Sequence, residues 1–297
     1  MNIPKRYKGI ICICLSAFFF ALMAVFVRLS GDLPTFQKTF FRNFVALFLA
    51  VGVLIKKRIP LRLGEKKLLF PLTVRALAGT VGMIGNFYAV DHLLLSDALM
   101  LNKMSPFFAI VFSYLILKEK LTPFQLMAVI AAFGGSLLII KPSFSNVDLL
   151  PALAGFAGGL GAGLAYTCVH YLGMHGVKGP VIVAFFSAFS CVFCLPFLIV
   201  RFTPMSAVQL LCLLGAGTAA AAGQFTITAA YSHAPPREIS IYDYSQLIFS
   251  TALGFFIFGD VPDGLSFVGY AVIILMAVLN FIYNNKRASE AEDKQED

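Results

Sequence analysis

Charge is what this sequence has least of. Only 13% of its 297 residues are Asp, Glu, Lys or Arg, about half the share found in an ordinary soluble domain. With 59% hydrophobic residues laid out in long runs, a water-soluble globule built from short alternations or helical stripes is excluded. Disorder is excluded as well, because 31 Phe, 10 Tyr and a mean hydropathy of +0.85 are the opposite of a low-hydrophobicity chain. Tryptophan is absent, although it usually shares the membrane-interface belt with tyrosine; nothing in the sequence accounts for this. A Walker loop and an HExxH pair are both missing, so neither ATP hydrolysis nor zinc proteolysis is expected. The six cysteines (Cys12, Cys14, Cys168, Cys191, Cys194 and Cys212) lie inside apolar runs, which argues against a disulfide framework. Cys191 and Cys194 stand one helical turn apart with no nearby His or acid, so they read as packing; no metal site and no cofactor are expected.

What the sequence does have is ten apolar stretches of about the 20 residues that a transmembrane helix needs. They cover 9–28, 34–55, 70–90, 96–117, 122–140, 150–172, 179–199, 207–231, 238–258 and 264–284, leaving only short loops. The first follows a basic start but is too long for a signal-peptide core and lacks a small-x-small cleavage site, so it reads as a retained span. The formal charge of +8 comes from basic clusters between the spans, which serve as topology signals and do not suggest nucleic acid. If the N-terminus is inside, sixteen Lys and Arg fall on that side, against only Arg28, Lys38, Lys141 and Arg201 on the other. Both termini are therefore expected in the cytoplasm, with the chain in the cytoplasmic (inner) membrane. Residues 288–297 are polar and acidic and are expected to form a disordered tail.

Shifting the chain against itself by 141 positions aligns residues 69–140 with 210–281 without a gap. Gly82 meets Gly223, His92 meets His233, Phe108 meets Phe249, and the acids Asp97 and Glu119 meet Glu238 and Asp260. Five spans per half is an odd number, so the second half must enter the membrane from the opposite face. The expected fold is an all-α polytopic membrane protein of ten transmembrane helices in two inverted five-helix repeats, 1–142 and 148–287. Opposed halves of this kind are typical of alternating-access carriers.

The stretch Asn86–Phe108, with its Asp-His and Asn-Lys-Met-Ser-Pro segments, resembles the third-to-fourth span of EamA-type carriers in the drug/metabolite transporter superfamily. Lys118-Glu-Lys-Leu-Thr122 is similar to the acidic turn after their fourth span, and Gly223-Gln-Phe225, Ala234-Pro-Pro-Arg-Glu238 and Tyr242-Asp-Tyr244 resemble their eighth and ninth spans. Phe258-Gly-Asp-Val-Pro262 is most similar to the branch containing S-adenosylmethionine-uptake-type members. The resemblance implies two EamA-like repeats around a central cavity, with spans five and ten more peripheral. Lys103 departs from the pattern, because a neutral residue is commoner at that place on span four.

Charged groups within lipid are costly unless they face protein or water, so Arg42, Lys103 and Asp243 are the leading site candidates. Lys103 suits a carboxylate or other anionic group; Asp243 suits an amine or a proton and is the expected coupling acid. At 1.5 Å per residue they lie roughly 10 Å below one surface and 8 Å above the other. That places them too far apart to pair directly, with Asp97 the nearer partner for Lys103. Arg75 reads as snorkelling from the membrane edge. Asn86, Tyr88, Asn102, Tyr166, Gln224, Tyr242, Tyr244 and Gln246 supply uncharged substrate contacts, while His170 reads as solvated at the end of span six. The glycines of span six, Gly155, Gly159 and Gly163, at spacing four, read as a packing face.

The function expected is secondary active transport of a small polar or amphipathic metabolite, amino-acid-like or nucleoside-like, by alternating access. Its partners are membrane lipid, the substrate and a proton or other co-transported solute, with a homodimer compatible. An intramembrane enzyme is the first alternative, but Ile257 stands where an aspartyl-protease GxGD motif needs glycine. A non-transporting channel or scaffold is the second.

Overall fold

The computed structural model describes residues 4–60, 66–92, 99, 101–141, 149–259 and 261–296, with side chains described except at 90, 91 and 288–296. Among these residues the secondary structure is helical throughout. The elements are α1 (Lys5–Leu29), α2 (Thr35–Lys56), α3 (Leu69–His92), α4 (Ser105–Leu117), α5 (Pro123–Ile140), α6 (Leu149–Met174), α7 (Gly179–Val200), α8 (Ala207–His233), α9 (Pro236–Phe258) and α10 (Gly264–Glu296). Nine are long and apolar enough to cross a membrane, and α4 is a shorter apolar helix. Large side chains such as Phe48, Phe70, Val200 and Phe256 stand exposed. A bilayer, in which only helices or closed barrels satisfy their own backbone, explains that outward apolar surface.

Lipid tails are as apolar as leucine, so helices here associate through close packing and interhelical hydrogen bonds. The glycines of α6 provide the closest approach. A Cβ added to Gly161 would sit 2.6 Å from the Ala78 carbonyl oxygen of α3, and one added to Gly158 would sit 3.0 Å from that of Gly82. On the adjoining face, a Cβ on Gly163 would lie 2.5 Å from the Phe108 Cβ of α4. Hydrogen bonds then pin the register: the Thr80 and Ser190 hydroxyls are 2.6 Å apart between α3 and α7, and Thr167 of α6 donates to the Ala109 carbonyl of α4 at 3.1 Å.

Several of the main helix pairs map onto one another when each helix of the first five is exchanged with its counterpart five places later, although the α6–α8 pairing has no comparable α1–α3 counterpart among the described residues. α3 packs on α6 as α8 packs on α1; α4 on α6 as α9 on α1; α2 on α8 as α7 on α3. The pairs α2–α7 and α5–α10 are their own counterparts. The last pair is peripheral, with Gly135 and Gly269 facing each other at the crossing.

Two departures from regular spans matter. In the span expected over 96–117, Leu99, Leu101 and Asn102 are helical, a turn follows at Lys103 and Met104, and a fresh helix starts at Ser105. Pro106, in the first turn of α4, cannot donate a backbone hydrogen bond, which explains why the ladder is interrupted there. In α9 a helical turn at Pro236–Ile239 passes into a 3-10 segment, Ser240–Tyr244, before regular α-helix resumes at Ser245. Under the 141-residue shift Met104 corresponds to Ser245, so the two interruptions fall at equivalent places in the two halves. At the far end, α10 continues as backbone helix to Glu296 where a disordered tail was expected. The tail has no Gly or Pro to stop a helix already propagating from a packed span.

Candidate functional site

The two interruptions meet. Lys103 extends from the break before α4 to the 3-10 segment of α9, where its ammonium lies 3.2 Å from Asp243 Oδ2. It also donates to Gln246 Oε1 at 2.7 Å and to the Asp243 backbone carbonyl at 3.4 Å. The two side chains are 3% and 5% exposed, so this is a buried ion pair with its remaining hydrogens satisfied locally. The expectation that they lie too far apart is corrected. It assumed straight α-helices, whereas a 3-10 segment rises about 2.0 Å per residue and carries Asp243 deeper, within reach of a long lysine side chain. The alternative partner, Asp97, lies outside the described residues.

Around this pair the remaining candidates divide. Tyr166 stacks on the fully buried Tyr231 with ring centroids 4.9 Å apart. Arg42 is buried on α2 and finds only soft acceptors: its Nε donates to Met23 Sδ at 3.1 Å and another nitrogen to Met83 Sδ. Gln224 is buried on α8 and accepts from Arg75 at 3.0 Å. Tyr242 and Tyr244 are both buried beside Asp243. Asn86 is half-buried on α3, and its side-chain oxygen has no hydrogen-bond partner among the described residues. Asn102 stands one residue before Lys103, half-buried. Tyr88 is not brought to the pair; it stacks on His92 near the end of α3, at 4.1 Å.

Two residues set aside by sequence reasoning are interior. Arg75 is 2% exposed, with its guanidinium 3.9 Å over the Phe186 ring and its Nε without an acceptor among the described residues, so snorkelling is corrected. It lies about as far into its span as Arg42 does, and that depth was the signal available. His170 is 6% exposed, which corrects its solvated reading. Its Nδ1 is 2.6 Å from the Tyr231 carbonyl and, because a carbonyl only accepts, Nδ1 carries a hydrogen. Its Nε2 is 3.1 Å from Glu119 Oε1, and Ser113 donates to the other carboxyl oxygen. Burial pushes the Glu119 carboxyl up, but the hydrogen bonds from His170 and Ser113 outweigh burial and hold it below its ordinary value. The pair fastens the α4–α5 turn of the first half to α6 and α8 of the second.

His92 and His233, the last residues of α3 and α8, and His175, just past the end of α6, are exposed. The six cysteines are free. Among the described residues no cluster of three metal-ligating side chains occurs.

Residues 7–141 match the EamA-like transporter family. Over 275 residues the chain is 27% identical to the pseudopaline exporter CntI of Pseudomonas aeruginosa, covering 91% of this chain and 95% of that one. It is 28% identical over 284 residues to an uncharacterized transporter of Helicobacter pylori, covering 91% and 93% respectively. It is 28% identical over 191 residues to a riboflavin transporter of Vibrio cholerae, at 62% and 61% coverage. A solved crystal structure superposes with a TM-score of 0.81 at 14% identity, covering 95% of this chain and 99% of the other; at that identity the likeness establishes the fold alone. With ten apolar helices among the described residues and relatives named as exporters and transporters, the chain is a multi-pass membrane transporter, not an enzyme, and its residues 7–141 are similar to the EamA-like transporter family.

Proposed function

We propose that the protein is a secondary carrier that moves a small polar or amphipathic metabolite, amino-acid-like or nucleoside-like, across the cytoplasmic membrane by alternating access. Both termini are on the cytoplasmic side in this reading. The observation that carries it is the Lys103–Asp243 ion pair, set where equivalent interruptions of spans four and nine face each other. Interrupted helices at corresponding positions of inverted halves are the hallmark of a carrier's central site. The relatives are named for different cargoes, pseudopaline and riboflavin, so the polar groups around the pair are the better guide to what is bound.

A zwitterion matches both members. Its carboxylate competes for the Lys103 ammonium, and its amine competes for Asp243. A cargo without an amine takes Lys103 and leaves Asp243 to a proton, because an unpaired carboxylate in a dry interior is costly. Asp243 is the coupling acid on this account, with Gln246, Asn102 and Tyr166 orienting the cargo and Arg42 adding positive potential. Each half rocks on the other about the α3–α6 and α8–α1 crossings.

Proteoliposomes loaded with candidate metabolites test this directly. Saturable uptake and counterflow are expected, and uptake by Asp243→Asn should lose the pH dependence of the unaltered protein. Flux that neither saturates nor shows counterflow would mark a pore, and an unchanged pH profile in Asp243→Asn would remove the acid from coupling.

A further inference from the structure

A cavity lies away from the ion pair, at the end of the bundle where the chain begins. It encloses about 650 Å³ between the start of α1, the α4–α5 turn, the start of α9 and the later part of α10. Its lining carries five cations, Arg6, Lys118, Lys120, Arg237 and Arg287, against two acids, Glu119 and Glu238. Both acids are already engaged: Glu119 with His170 and Ser113, and Glu238 with Arg6 at 3.6 Å and Arg237 at 4.0 Å. Among the described residues no acid pairs with Lys118, Lys120 or Arg287. Deeper in the wall Asn284, 6% exposed, accepts from Gln125 at 2.9 Å, while its own amide nitrogen, a two-hydrogen donor, has no acceptor among the described residues. A buried donor left unmatched beside unpaired cations points to a missing acceptor.

The geometry points to a binding site for a phosphate-bearing anion in this cavity. Cations converge from four separate segments, so the fitting ligand offers several acceptor oxygens in different directions and more than a single charge's worth of attraction. A phosphate does so; a carboxylate, with two oxygens in one plane, serves fewer donors. The volume falls within the range of small-molecule sites. The opening sits at helix ends, where basic pockets between spans take lipid head groups, and equally where a soluble phosphate compound would arrive from water. Occupancy ties the α4–α5 turn to α1, α9 and α10, a linkage that Arg237 begins by donating to the Lys120 carbonyl at 2.9 Å. This inference stands apart from the transport cycle, and its readout is binding to the purified protein.

The full chain in phosphatidylcholine nanodiscs is heated with and without phosphatidylglycerol in the bilayer, and separately with inorganic pyrophosphate against chloride at constant ionic strength. A ligand of the folded state raises the unfolding midpoint. A rise with phosphatidylglycerol alone identifies a lipid head group, a rise with pyrophosphate alone a soluble anion, and a rise with both shared phosphate recognition. In each case the Lys118→Gln/Arg287→Gln double variant should bind about tenfold more weakly or worse, and Asn284→Leu should also weaken binding, while Lys56→Gln/Lys57→Gln at the end of α2 leaves it unchanged. No rise with either anion, or equal losses in the cavity pair and the α2 pair, overturns the site.

Discussion

Replacing Lys103 with alanine abolishes transport and destabilises the protein by about 3–5 kcal/mol, because it leaves the Asp243 carboxylate buried without its partner. Asp243→Ala does the same from the other side, stranding the ammonium with only Gln246 Oε1 and a backbone carbonyl as acceptors. The informative variant is the double replacement Lys103→Met/Asp243→Leu. Removing both charges also removes their desolvation cost, so packing of similar volume restores most of the lost stability. Transport is not restored, because the groups that recognise the cargo are gone. Thermal midpoints of the purified variants, set beside uptake in proteoliposomes, separate the two effects. A double variant that is stable and still transports would show the pair to be structural.

The second large effect is steric. Gly161→Ala brings a methyl group within 2.6 Å of the Ala78 carbonyl oxygen and 3.0 Å of the Gly82 Cα, both of them backbone atoms of α3 that have no side-chain rotamer to yield. Overpacking of this kind costs about 1–3 kcal/mol, and Gly161→Leu should cost more by forcing α3 and α6 apart. Gly134→Ala in α5 is the control, since nothing lies within 4 Å of its added Cβ. There the gain in helix propensity, about 0.8–1.0 kcal/mol, should appear as an unchanged or slightly raised midpoint. Equal effects at the two positions would mean that the glycine face of α6 does not set the helix crossing.

These two sites also show where the sequence was sufficient and where it was not. The spans were legible because burial in lipid demands about 20 apolar residues of each, and because small residues at spacing four in α6 admit only close packing. What the sequence did not reveal was depth. Counting 1.5 Å per residue separated Lys103 from Asp243, whereas the turn at Lys103–Met104 and the 3-10 segment at Ser240–Tyr244 bring them together. In the 141-residue alignment the two breaks fall in register, and Pro106 lies beside one of them. Arg75 was misjudged because snorkelling explains any arginine near a helix end, and only a tertiary partner such as Gln224 or the Phe186 ring tells otherwise. His170 and Glu119 lie 51 residues apart on different halves, so no local spacing connects them.

The central claim is that the meeting point of the two interrupted spans opens alternately to the two faces of the membrane. Asn102→Cys in a background with the six native cysteines replaced by alanine reports on it, using a membrane-impermeant maleimide applied to oriented vesicles from each face in turn. The account predicts labelling from both faces, with cargo shifting the balance toward one of them and protecting the thiol at saturation. Labelling from one face only, indifferent to every cargo that the protein carries, would contradict it.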